Sequence, residues 1–166
     1  QTGNYVGFMF EEAKKRGSGY LNVALFGVDS RDNDLDKGTR SDTIMIASLN
    51  KKTMKVKIAS IYRDTLSEQE DGTLNKINAA YSYGGPEGAL SVLNKNLDMN
   101  IEHYVTVNFN SMIDIVDSVG GIDIDVQEDE MPYICGYVQE IMKVTGKLSP
   151  GVTEPGTQTL NGVQAT

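Results

Sequence analysis

Apolar positions along the chain switch between two periods, and the switches mark out its elements. Residues 20–28, YLNVALFGV, are apolar on both faces and dense in β-formers, which predicts a central strand covered on each side. Two more strand-like runs follow, TIMIASLN at 43–50 and KVKIASIYR at 55–63. The short KKTM connection between them predicts an antiparallel hairpin. The polar, Asp- and Gly-rich residues 30–40 read as a loop, and so do residues 65–75. A short helical turn is expected over 76–81. Pro86 suits the first turn of a helix, where its missing N–H would be unpaired anyway. Ala89, Leu90, Leu93 and Leu97 then recur at helical spacing, so 86–97 is read as an amphipathic helix.

HYVTVNF (103–109) reads as a strand, 110–119 as a helix closed by Gly120-Gly121, and IDIDV (122–126) as an alternating strand. A helix over 137–145, a loop from Pro150 to Pro155 and a helix start at 160–165 complete the chain. Residues 5–15 suit a helix broken by Gly17-Ser18-Gly19. This order implies an α/β fold, a layered α-β-α domain with a central mixed β-sheet. Residues 1–19 form its lead-in and 20–166 the domain.

At 166 residues, 39% apolar and 23% charged, the chain suits one ordered globular domain. A net charge of −8 argues against a nucleic-acid partner, which needs a basic face. The only cysteine, Cys135, lies in the apolar stretch MPYICGY, and the only histidine, His103, is remote in sequence. Cys135 therefore reads as a buried structural thiol. No apolar run is long enough to span a bilayer.

Arginine changes the picture. There are four, and Arg31, Arg40 and Arg63 fall within one window beside Asp29, Asp42 and Asp64. Surface ion pairing is one explanation. The other is an anion site with adjacent metal ligands, because the planar guanidinium donates two parallel hydrogen bonds to a phosphate. Three motifs sit at strand ends: VDSR (28–31), RSDT (40–43) and YRDT (62–65). If the first strand runs against the second and the hairpin returns, all three share one sheet edge. Paired carboxylates plus phosphate oxygens suit a hard cation, and neighbouring arginines would stabilise charge on a leaving phosphate. No GxxxxGK[ST] loop is present, and the Asp-rich loop 32–36 lacks EF-hand spacing.

GVDSR, RSDT, YRDT, LNKINAAYSYGGPEGA (74–89), VNFNSMIDIVDSVGGIDIDV (107–126) and LNGVQA (160–165) occur in this order. From about residue 20 onward the chain thus resembles LytR-CpsA-Psr (LCP) domains. The resemblance implies a phosphotransferase that moves an undecaprenyl-pyrophosphate-linked glycopolymer, of teichoic acid or capsular type, onto peptidoglycan. It implies Mg2+, or Mn2+, on Asp29 and Asp42, with Arg40 and Arg63 clamping the pyrophosphate. Asp64 is implied beside that clamp as base or organiser, and Lys76 near the phosphates. Arg31 is either a further phosphate ligand or a solvated loop charge.

The implied partners are the lipid-linked glycan, a peptidoglycan acceptor and, through the lipid, a membrane surface. The implied location is the extracytoplasmic face of a bacterial membrane, with an N-terminal transmembrane anchor absent from this chain. Tyr62 stands where the family usually has proline, which is expected to alter the strand ending and not the chemistry. The family pattern continues past LNGxQA with an arginine-rich segment beyond Thr166, so the anion site is expected to be incomplete here. Hydrolysis of a pyrophosphate without a glycan acceptor, and a non-catalytic envelope module that binds lipid-linked sugars, are the alternatives. Tyr81, Tyr83 and Tyr104 either line an apolar groove for the polyprenyl chain or belong to the core.

Overall fold

The computed structural model of the chain describes residues 19–29 and 38–166, which fall in two compact units divided between Asn108 and Phe109. The expected helix over 5–15, Arg31 and most of the 30–40 loop lie outside the described residues.

The first unit contains β1 (Tyr20–Val28), β2 (Ser41–Asn50), β3 (Val56–Ile61), β4 (Leu66–Glu68), β5 (Leu74–Lys76), α1 (Ala79–Leu97) and β6 (His103–Val107). Its sheet runs β3-β2-β1-β6. β1 is antiparallel to β2, β2 is antiparallel to β3, and β6 is parallel to β1, so the central sheet is mixed as expected. Side chains alternate across the pleat. Ala24, Phe26 and Val28 of β1 join Ile44 and Ile46 of β2 in a core with Ala80, Tyr81, Ala89, Val92 and Leu93 of α1. Leu21, Val23 and Leu49 form a smaller cluster with Leu25 and Val105. α1 is interrupted at Gly85 (φ 65°, ψ −159°), a backbone conformation open to glycine, and Pro86 starts the second stretch of helix.

The second unit contains α2 (Phe109–Ser118), β7 (Ile122–Val126), α3 (Met131–Thr145), β8 (Gly156–Leu160) and α4 (Gly162–Ala165). β7 pairs antiparallel with β8. Ile113, Val138 and Val163 form one apolar cluster, and Val126, Val152 and Leu160 another. Asn161 caps α4 in a reciprocal box with Gln164. The Cys135 thiol, expected to be buried, is only partly so; it donates to the Val152 carbonyl at 3.4 Å, which fits a structural role.

Several expectations need correction. The helical turn expected over 76–81 does not begin at Lys76, which ends β5; the helix starts at Ala79. The segment 65–75 is no simple loop: β4 and β5 form a two-stranded hairpin whose three-residue strands, LSE and LNK, are too short and polar to show a period. The strand expected over 55–63 ends at Ile61 because Tyr62 opens a turn, its carbonyl accepting the Thr65 N–H at 3.0 Å. The helix expected from 137 begins at Met131, with Pro132 in its first turn. β8 escaped notice because GTQTL offers little apolar signal before its partner strand is known.

Candidate functional site

Strand direction builds the site. β1 ends where β2 begins, and β3 returns to the same edge, so Val28-Asp29, RSDT and YRDT fall at one edge. The β1–β2 register passes from Gly27 opposite Thr43 to Val28 opposite Ser41, which leaves Asp42 as the extra residue of a bulge. A bulge re-aims one side chain out of the regular ladder. Arg63, just past the end of β3, reaches that carboxylate: its Nη1 donates to Asp42 Oδ1 at 2.5 Å. Asp29 follows β1 and Arg40 precedes β2, both exposed at this edge.

The β4–β5 hairpin brings in the second cation. Lys76 Nζ lies 2.7 Å from Asp64 Oδ1, and Arg63 Nε lies 3.9 Å from Asp64 Oδ2. Backbone bonds hold the turn against the hairpin: the Ile77 N–H donates to the Thr65 carbonyl at 2.8 Å, and the Asn78 N–H to the Arg63 carbonyl at 3.2 Å. The result is a chain of alternating charge, Asp42–Arg63–Asp64–Lys76, running from the β2 bulge through the turn after β3 to the end of β5. Two buried atoms in these motifs, Ser41 Oγ and Asn78 Oδ1, have no hydrogen-bond partner. Leaving a buried polar atom unpaired costs about 1–3 kcal/mol.

The hydrogen bond from Lys76 is the main reason that the Asp64 carboxyl sits below the usual carboxylate range. Desolvation opposes it, and the charges of Lys76, Arg63 and Arg40 add to the lowering. The sign follows from linkage. The contribution of Asp64 to stability is present above the ordinary carboxylate range and fades as pH falls through the lowered value. Replacing Lys76 by Met is expected to move the Asp64 titration midpoint upward, read by carbon-detected NMR of the carboxyl. An unmoved midpoint would show that Lys76 does not engage Asp64 in solution.

Asp29, Arg40, Asp42, Arg63, Asp64 and Lys76 thus all fall at this edge or on the hairpin beside it, and Arg31 lies outside the described residues. Motif reading missed the hairpin that carries Lys76; the Asp-Gly pair at 71–72 inside a polar run was the available signal. The tyrosines divide. Tyr81 is fully buried, edge-on to Phe26 at 5.5 Å, and belongs to the core. Tyr104 is partly exposed, tilted against Phe26 at 6.4 Å. Tyr83 is exposed at a cavity of about 210 Å³ shared with Gln69, Thr73, Gly84 and Gly88. Tyr62 is 88% exposed and leaves the Arg63–Asp42 pairing intact.

Among the described residues, no group of three or more His, Cys, Asp or Glu side chains stands together as a metal cage. The donors at the strand ends are the carboxylates Asp29 and Asp42. That set fits Mg2+, which is commonly held by one or two carboxylates completed by substrate phosphates. No helix among the described residues is long and apolar enough to cross a membrane.

Fold and site define a mixed α/β protein with a cluster of alternating carboxylates and basic side chains at one end of its central sheet. The chain belongs to the LytR_cpsA_psr family, whose model matches residues 8–166. It is 42% identical over 105 residues to the polyisoprenyl-teichoic acid–peptidoglycan teichoic acid transferase TagU of Bacillus cereus (strain AH820), a match covering 63% of this chain and 34% of that protein. A solved structure of YwtF (TagT) with bound octaprenyl pyrophosphate lipid superimposes with a TM-score of 0.65 at 26% identity, covering 90% of this chain and 55% of that one. B. subtilis TagV superimposes with a TM-score of 0.64 at 29% identity, covering 90% and 55%. The chain spans about a third of the length of the curated relatives it matches.

Proposed function

We propose that the chain supplies the phosphate-binding part of an enzyme that transfers a glycopolymer from polyprenyl pyrophosphate to peptidoglycan at the cell envelope. The observation that carries this reading is the Asp42–Arg63–Asp64–Lys76 charge chain at the sheet edge. Its support from relatives is the transferase name of the TagU proteins and the octaprenyl pyrophosphate lipid bound in a TagT structure. In this reading Arg63 exchanges its carboxylate contacts for phosphate oxygens, Arg40 binds the same group from the entry of β2, and Lys76 adds a point charge. A peptidoglycan hydroxyl forms a new O–P bond at the glycan-side phosphorus, the bridging P–O bond breaks, and polyprenyl phosphate leaves. The hydroxyl proton passes to a cluster carboxylate or to solvent. Asp64, paired with Lys76 and held at low pKa, suits the role of organiser better than that of base. Asp29 and Asp42 would hold Mg2+ or Mn2+, which neutralises charge on the pyrophosphate when bound.

The test is incubation of the protein with a lipid-linked glycopolymer and peptidoglycan fragments, followed by product analysis. Glycan joined to wall fragments is expected; free phosphorylated glycan would reassign the chemistry to hydrolysis, and no turnover would favour a binding module. Chelation of divalent ions is expected to cut octaprenyl pyrophosphate affinity about tenfold or more, and Asp42→Asn to abolish most of that dependence. Affinity unaffected by chelation would remove the metal from the reading.

A further inference from the structure

Among the described residues the β4–β5 hairpin pairs with no strand but its own partner, and each of its strands has three residues. An isolated two-stranded hairpin of that size is marginal in water. It nevertheless carries Lys76 to Asp64, so contacts beyond its own ladder must fix its orientation. At its base the Ile77–Thr65 and Asn78–Arg63 backbone bonds do so; at the other end, α1 does. The Asn96 side-chain amide pairs with the backbone of Glu68 as a neighbouring strand would: its Oδ1 accepts the Glu68 N–H at 2.9 Å, and its Nδ2 donates to the Glu68 carbonyl at 2.9 Å. The same Nδ2 is tied to its own helix through the Val92 carbonyl at 2.8 Å. Beside it, Lys95 Nζ lies 2.8 Å from Glu68 Oε1 and 3.1 Å from the Gln69 carbonyl.

From there the connection runs inside the hairpin. Gln69 is 5% exposed, and its Nε2 donates to Ser67 Oγ at 3.0 Å and reaches the Lys76 carbonyl at 3.5 Å. Ser67 Oγ in turn donates to the Asn75 carbonyl across the ladder at 3.3 Å. Both strands, and the residue that bears the cation, are thus braced from one buried amide. Asn96 lies in none of the motifs that single out the site.

We infer that Asn96, with Lys95, is a positioning residue of the candidate site, clasping the hairpin to α1 so that Lys76 is presented to Asp64 and to the phosphate between them. The last clause rests on the phosphate-binding reading given above; the clasp itself does not.

The test uses the full chain and two readouts. One is the Asp64 carboxyl midpoint by NMR; the other is affinity for octaprenyl pyrophosphate. Asn96→Ala is expected to move the midpoint upward, toward that of Lys76→Met, and to weaken binding roughly three- to tenfold. Asn96→Asp keeps the acceptor for the Glu68 N–H and loses the donor, so it is expected to recover part of both. A merely structural loss would lower the melting temperature without moving the midpoint of the folded protein. An Asp64 midpoint unchanged in folded Asn96→Ala overturns the inference, whatever binding does. A shifted midpoint with unchanged binding upholds the clasp and rejects the phosphate reading of Lys76. Should Asn96→Ala fail to fold, Lys95→Met, at a half-exposed position, is read by the same criteria.

Discussion

Replacing Arg63 with Ala is expected to weaken octaprenyl pyrophosphate binding by roughly ten- to a hundredfold, the loss of charge-assisted hydrogen bonds to a phosphate. Stability should change by no more than about 0.5 kcal/mol, because the side chain is half exposed and its ion pairs are screened by water. The contrast makes the experiment informative: the protein melts as before and the ligand is lost. Arg63→Lys restores charge but not the fork, so it is expected to recover only part of the affinity. Titration calorimetry at fixed salt decides. Unchanged affinity in a folded Arg63→Ala protein would take Arg63 out of the clamp and leave its contact with Asp42 as a surface ion pair.

The second large effect concerns the second unit and separates two meanings of a motif. Gly162 of LNGVQA looks like a signature residue, yet its role in the structure is steric. A Cβ there would lie 2.3 Å from the Ile113 carbonyl oxygen and 2.7 Å from the Ile113 Cα. The obstacle is backbone, which cannot rotate away as a side-chain end can. The Gly162 N–H also donates to Asp117 Oδ1 at 2.7 Å, tying the start of α4 to α2. Gly162→Ala is therefore expected to destabilise the unit by about 3 kcal/mol, read as a fall of many degrees in thermal denaturation by circular dichroism. A melting temperature within a degree or two of the parent would show that the close approach of α4 to α2 relaxes freely.

The elements differ in how much of them could be read from the chain. β1, β2 and α1 were legible because each buries a face wide enough to impose its period on the sequence: YLNVALFGV is covered on both sides, and Ala89, Leu90, Leu93 and Leu97 repeat at helical spacing. The β4–β5 hairpin was not legible, because its strands expose Leu66 and Leu74 and bury Ser67, the inverse of the usual pattern. β8 was missed for a related reason: TQT reads as loop until β7 supplies the partner.

The candidate site divides in the same way. Residue types and their places at strand ends were visible in the chain; their convergence depended on β1 running against β2, and the structure supplies that pairing. Which carboxylate meets which cation was not. Asp42 faces Arg63 because a bulge between Gly27 and Val28 shifts the register, and Lys76 meets Asp64 because a hairpin stapled by Asn96 and Gln69 turns it there. Periodicity and composition are local quantities, so the sequence by itself determined which segments are strands and which charged residues stand at their ends. Register shifts and side-chain clasps join residues tens of positions apart, and only the tertiary structure decided those.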